Sequence, residues 1–146
     1  MIAGSFIESS SLLNDTYFED AKLIITESND KGAMGFIVNR RFPRAINELV
    51  EFSYCKPFPI FEGGPVDQEH LFFIHQRPDL IKGGDLIEGN LYLGGDFKTA
   101  LQYINDNSIG ENDIKIFIGY CGWDYSELEA EIEEGSWIVS DKIELF

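Results

Sequence analysis

The sequence predicts a single α+β domain, a mixed β-sheet flanked by about three helices. Three observations carry that prediction. The chain has 146 residues, 44% of them hydrophobic, the size and composition of one globular unit with one core. Its five prolines are scattered and no Gly/Ser-rich stretch divides it, so residues 1–146 read as one domain without a linker. Short apolar, β-branched runs outnumber helical stripes and do not alternate strictly with them, which favours α+β over a doubly wound sheet. Twelve phenylalanines predict a Phe-rich core.

The elements follow in order. Tyr17 to Thr26 reads as a strand entered from a turn at Asn14-Asp15, and Ala33 to Asn39 as a second, buried strand. Asn29-Asp30-Lys31-Gly32 between them is a turn, so the pair is a hairpin. From Arg44 to Tyr54 the period changes: Ala45, Ile46, Leu49, Val50 and Ser53 fall at helical spacing, with Pro57 and Pro59 closing the helix off. Phe58 to Phe61 leads into the sharp turn Gly63-Gly64-Pro65, and Leu71 to His75 is another apolar strand. Two Gly-Gly-Asp units, at residues 83–85 and 94–96, bracket Leu86 to Leu93, which bends at Glu88-Gly89-Asn90. Asp96 is a natural N-cap for a helix whose apolar stripe is Phe97, Ala100, Leu101 and Ile104, with Gly110 ending the following turn. Ile114, Ile116 and Ile118 alternate in the clearest strand, Ile114 to Tyr120. Ser126 and Glu129 fit a capping box for the last helix, Gly135 suits its C′ position, and Ser136 to Ser140 closes the chain as a strand.

Charge narrows the function classes. Lys and Arg total 11 against 26 Asp and Glu, a net charge of −15. Nucleic-acid affinity rests on neutralising phosphates, and a field this negative repels a polyanion. The densest basic spot, Arg40, Arg41 and Arg44, is small, so direct nucleic-acid binding is not expected. No apolar run approaches the roughly 18 residues of a membrane span. The start, Met1-Ile2-Ala3-Gly4-Ser5-Phe6, lacks a positive n-region and so does not read as a signal peptide. Cys55 and Cys121 are far apart without a CxxC motif. They read as two reduced thiols of a cytoplasmic protein, with a disulfide between them the alternative.

Four blocks in order resemble the AlgH/YqgE family of bacterial proteins. They are Gly32-Ala33-Met34-Gly35-Phe36-Ile37-Val38-Asn39-Arg40; Gly63-Gly64-Pro65-Val66 followed by Leu71 to His75; Leu93-Gly94-Gly95-Asp96; and Ile118-Gly119-Tyr120-Cys121-Gly122-Trp123 with Leu128 to Ile132 and Gly135-Ser136-Trp137. The resemblance covers nearly the whole chain. It implies a bifurcated mixed sheet curled into a pseudo-barrel, and no assigned reaction. Some members are labelled transcriptional regulators, and a label is not a mechanism. Two departures stand out. Arg41 occupies the place of the family's Pro, and Ser126-Glu127 stands where the family has Gly-Gln after Trp123. A ligand held by that Gly or Gln would lack its partner here.

Candidate chemistry is sparse. His70 and His75 are the two histidines, five apart, and do not match HExxH; His75, at the end of an apolar strand, fits structure better than catalysis. The Gly-Gly turns could cradle an anion, but none leads into Gly-Lys-Ser/Thr or fits GxGxxG. Trp123 reads either as a recognition surface or as core, whereas Trp137 reads as core. The run Asp124 to Glu134 holds six acidic residues and no basic one, the pattern of a solvated helix face. Arg40, at the rim of a buried strand, could grip an anion or pair with one of the chain's own carboxylates.

Two functional readings follow. The first, favoured because no base, nucleophile or metal-ligand constellation appears, is a non-enzymatic regulatory or accessory protein that needs no cofactor. It acts through a protein partner, which the acidic last helix could meet, rather than by direct DNA binding. The second is an anion-binding domain or enzyme with a cleft near Asn39, Arg40, Gly64 and His75. The candidate ligand-binding set is Asn39, Arg40, Gly63, Gly64, Pro65, His75, Tyr120 and Trp123, and convergence of Asn39, Arg40 and His75 would favour the second reading.

Overall fold

One ten-residue strand, Ile114–Trp123, organises the fold. The computed structural model describes residues 1–146. Its elements are β1 (Phe6–Ser9), β2 (Lys22–Asn29), β3 (Gly32–Ile37), β4 (Ile60–Glu62), β5 (Val66–His75), β6 (Asp85–Glu88), β7 (Leu91–Leu93), α1 (Phe97–Asn105), β8 (Ile114–Trp123), α2 (Glu127–Glu133) and β9 (Trp137–Ser140). The first half of β8 pairs antiparallel with β5, from His75↔Ile114 to Leu71↔Ile118, and parallel with β4 on its other flank. Its last three residues pair instead with β3, from Gly35↔Cys121 to Ala33↔Trp123. The sheet therefore branches along β8. Its strand order is β6-β7-β5-β8-β3-β2-β1-β9, with β4 beside β8 off that path. The terminal strands β6 and β9 do not pair, so the sheet is open and does not close into the expected pseudo-barrel.

Glycine makes the branch possible. Gly119 sits at φ 73 inside β8, a left-handed backbone that side chains disfavour. A Cβ on Gly64 would overlap the Tyr120 carbonyl, and one on Gly119 would overlap the carbonyl oxygen of Gly64. Two backbones thus touch where β4 gives way to β3.

Both faces of β8 are covered, and its alternation sorts residues between cores. Ile114 and Ile116 pack with Ile60, Phe73, Ala100 and Ile104 beneath α1. Phe117, next in sequence after Ile116, packs on the other face with Phe36, Ile74 and Leu145. A third cluster joins Trp123 and Trp137 to Leu128 of α2 and to Ile25. Phe36 and Phe117 lie 4.8 Å apart and Phe73 and Phe97 5.2 Å apart, so the core is rich in Phe as expected.

Local expectations held where turn chemistry was decisive. The β2–β3 hairpin closes at Asn29↔Gly32. Asp96 caps α1 by accepting from the Thr99 N–H at 3.2 Å. Gly135, at φ 90, ends α2, and the Ser136 N–H reaches the Glu131 carbonyl at 2.9 Å, closing a Schellman motif.

Other expectations are corrected. The helix predicted over Arg44 to Tyr54 is two short 3-10 turns, Ile46–Glu48 and Val50–Phe52, so there are two α-helices and not three. Leu49 between them is extended at φ −85, ψ 131, and the Ile46 N–H is tied to the Phe58 carbonyl at 2.9 Å; these ties override a weak helical propensity. Strand β2 starts at Lys22, because Asp15 and Asp20 turn the preceding segment at positive φ. Asn107, at φ 68, takes the left-handed position that follows α1. Ser126 sits at φ 61 and makes no cap bond, so the expected capping box does not form.

Candidate functional site

The branch at β8 gathers part of the predicted set and leaves the rest outside. Gly63, Gly64 and Pro65 run beside Gly119 and Tyr120, and Val66 pairs with Tyr120 across the strands. Trp123 ends the same strand opposite Ala33. Gly63, Gly64, Pro65, Tyr120 and Trp123 therefore lie together.

Asn39 and Arg40 serve another purpose. Asn39 accepts from the Lys22 N–H at 3.0 Å and donates to the Asp20 carbonyl at 2.9 Å. Arg40 donates to the Glu19 carbonyl at 3.2 Å, lies 4.9 Å over the Tyr17 ring and approaches Glu62 at 3.8 Å. The Tyr17 hydroxyl donates to the same Glu62 carboxylate at 2.5 Å. Partial burial, then Glu62, push the Tyr17 phenol well above its ordinary value. Both side chains brace the segment leading into β2.

His75 lies on the opposite flank of β8, at its far end, opposite Ile114. It is fully buried between Phe73 and Tyr92. Its Nδ1 accepts from the Arg77 N–H at 3.1 Å, so Nε2 carries the proton and donates to the Gly94 carbonyl at 3.1 Å. Both nitrogens are satisfied in the neutral ring, and burial pushes its pKa down. Asn39, Arg40 and His75 do not converge.

What the branch builds is an open hollow of about 380 Å³, lined by Ala33, Val66, Tyr120, Gly122 and Trp123, with Asp124 and Glu127 on its rim. Val66 is 40% exposed, whereas Trp123 is only 8% exposed. The tryptophan is held from behind: its indole N–H donates to Glu131 at 3.2 Å. Tyr120 packs edge-on against Phe72 at 5.5 Å. Gly122 leaves the space beside the Tyr120 ring unfilled. Ala33, Val66, Tyr120 and Trp123 give the walls apolar side chains, and Asp124 and Glu127 make the rim acidic.

Cys121 lies beneath the hollow, donating to the Gly63 carbonyl at 3.4 Å, and burial pushes the thiol up to about 12, where it is no nucleophile at neutral pH. Cys55 and Cys121 are both free thiols. No three His, Cys, Asp or Glu side chains come close enough to hold a metal ion. Of the lining residues outside the predicted set, Ala33, Val66 and Gly122 stand in the sequence only as members of the family blocks, and Asp124 and Glu127 only as part of the acidic run. Val66 was legible only as the residue after a turn, because the register shift within β5 between Val66 and Leu71 leaves no mark in the sequence.

The profile of the AlgH-like family (DUF179) matches residues 6–145, which include the whole branch. The chain belongs to the AlgH-like family. A UPF0301 protein of Bacteroides thetaiotaomicron is 33% identical over 138 residues, 94% of this chain and 70% of that protein. A UPF0301 protein of Chlorobium limicola is 38% identical over 139 residues, 94% of this chain and 74% of that one. The solution structure of AlgH from Pseudomonas aeruginosa superposes with a TM-score of 0.77 at 25% identity, covering 96% of this chain and 77% of that one. The crystal structure of DIP2367 from Corynebacterium diphtheriae shares the fold, with a TM-score of 0.75 at 19% identity, covering 98% of this chain and 77% of that one. No helix of this AlgH-like chain is long and apolar enough to cross a membrane.

The AlgH-like membership gives the departure at Ser126 a structural meaning. The Gly that the resemblance implies at position 126 falls where the backbone is left-handed here, φ 61, so conformation alone accounts for a glycine there.

Proposed function

We propose that this AlgH-like protein is a non-enzymatic accessory or regulatory protein of the cytoplasm that works through a protein partner docked in the hollow beside β8. The observation that supports this most is the pairing of apolar side chains, Val66, Tyr120 and Trp123, with the acidic rim of Asp124 and Glu127. A partner segment that presents an apolar anchor flanked by Lys or Arg fits such a surface, because apolar contact supplies affinity and opposite charge speeds encounter. Free, buried thiols are in keeping with a reducing compartment.

Direct DNA contact has little support. The net charge is −15, and the three clustered arginines disperse: Arg40 onto Tyr17, Arg41 over Phe61 at 5.9 Å, and Arg44 beside a separate groove. A transcriptional role in such a protein would pass through another protein. The alternative, an anion cleft near Asn39, Arg40, Gly64 and His75, would need side chains that lie on opposite flanks of β8.

The experiment is comparative capture from native lysate. Wild type and the double variant Asp124→Lys, Glu127→Lys are immobilised in parallel, with a duplex DNA gel shift run beside them. A protein retained by wild type and lost by the variant supports the reading. Identical retention, or DNA binding tighter than about 10 µM at physiological salt, overturns it.

A further inference from the structure

The segment that failed to form a helix leaves an opening in the core beneath it. Because Leu49 is extended, Val50 swings outward and is 92% exposed. The space left between this segment, β5, β8 and α1 is a groove of about 410 Å³. It shares no lining residue with the hollow at Tyr120. Phe52, Leu71, Phe97 and Ile118 line it, each packed on the core from behind. Phe52 and Phe97 meet edge to face at 5.7 Å. A volume in the range of roughly 300–1,000 Å³, apolar walls and a few polar groups at the mouth are the features of a small-molecule site.

The mouth is negative. Glu48, Glu51 and Glu69 stand on it, with Arg44 the single guanidinium and His70 paired with Asp67 at 2.6 Å. Glu48 accepts from the Ala45 N–H at 2.6 Å. Glu51, Glu69 and Arg44 enter no ion pair. Three carboxylates against Arg44 and the Asp67-paired His70, in a chain of net charge −15, leave the mouth negative and select a cation there. The rings of Phe52 and Phe97 favour the same sign, since an aromatic face attracts positive charge.

We propose that this groove binds a small organic cation, its apolar body against Phe52, Leu71, Phe97 and Ile118 and its ammonium group between Glu51 and Glu69. A cation is preferred over a neutral body of equal shape because two unpaired carboxylates gain a partner. An anion is rejected by the same charges.

The test uses three probes with one phenylpropyl body on the full chain: 3-phenylpropyl-trimethylammonium, its neutral carbon isostere 4,4-dimethyl-1-phenylpentane, and the carboxylate 4-phenylbutyrate. Binding is followed by amide chemical shifts. The ammonium probe is expected to move residues 48–52, 69–71 and 97–98, and to bind roughly tenfold tighter than the neutral isostere, with phenylbutyrate not binding. The double variant Glu51→Gln, Glu69→Gln, two substitutions at the groove mouth, should erase the ammonium's advantage while leaving the isostere unchanged; the isostere thus reports that the groove is intact. Equal affinity for the ammonium and the isostere, tighter binding of phenylbutyrate, shifts centred elsewhere, or an undiminished ammonium advantage in the variant would overturn the proposal. So would a Lys-containing apolar peptide that displaces the ammonium probe at lower concentration, which would give the groove to a protein ligand.

Discussion

The indole nitrogens of Trp123 and Trp137 donate to one and the same oxygen of Glu131, at 3.2 and 3.0 Å, with the rings set edge to face 6.0 Å apart. Glu131 is therefore the inward member of an otherwise solvated acidic run. It fixes the tryptophan that floors the hollow, and it does not belong with Glu127 and Glu133 as a free charge. Replacing Glu131 with Ala strands two buried donors, each costing about 1–3 kcal/mol less a discount for partial exposure. The expected loss is about 2–3 kcal/mol, read from urea unfolding midpoints. Glu127→Lys should stay within about 0.5 kcal/mol, as for an ordinary surface change. Equal effects of the two substitutions would contradict this division of the helix.

Ser126 carries backbone strain that the family's glycine avoids. A left-handed residue with a Cβ costs about 1–2 kcal/mol, and a glycine's extra freedom in the unfolded chain offsets about 0.4–1 kcal/mol of any gain. Ser126 is exposed and makes no cap bond, so nothing else is lost. Ser126→Gly should raise stability by about 0.5 kcal/mol. A lower melting temperature would show that the hydroxyl has a role the geometry does not reveal.

The pattern of success in the sequence reading follows from range. Features set by adjacent residues were legible: the Asn29–Gly32 hairpin, the Asp96 cap, the Gly135 stop. Those set by distant pairing were not. Strand β1 has four residues and exists because β2 and β9 flank it. The false helix at Arg44 to Tyr54 had the right period and lost to tertiary ties at Ile46. For the site, the Gly-Gly-Pro and Gly-Tyr-Cys-Gly-Trp blocks do meet, because a backbone crossing needs glycine on both sides. Asn39, Arg40 and His75 could not be placed from sequence, since a polar side chain at a strand end takes its direction from whatever loop packs over it.

The two histidines should titrate apart. The bond with Asp67 holds the His70 pKa above its usual 6.5, while burial holds that of His75 below it. In the unfolded chain both titrate near 6.5. For His75 the unfolded state takes up its proton first as pH falls. Its contribution to stability is therefore complete above about pH 6.5 and is lost as pH drops towards its folded value. His70, fully exposed, acts in the opposite sense, its contribution present in acid and lost as pH rises through its folded value. NMR titration of the ring resonances checks the order, and a His75 midpoint above that of His70 would contradict it.

Arg40 should behave as a brace. Its contact with the Tyr17 ring is worth about 0.5–1 kcal/mol, and its long ion pair with Glu62 about 0–1 kcal/mol. Arg40→Ala should lower stability by about 1 kcal/mol and leave captured partners unchanged. Loss of capture at full stability would return Arg40 to the functional surface.

The central claim is that the hollow beside β8 receives a protein. It is tested most directly by placing the photo-crosslinking amino acid p-benzoylphenylalanine at Val66 and irradiating intact cells. The account predicts a discrete protein adduct that is lost when Asp124→Lys and Glu127→Lys are added, and that is missing when the photoprobe stands at exposed Lys98 on α1. The same adducts from both positions, or none from Val66, would contradict it.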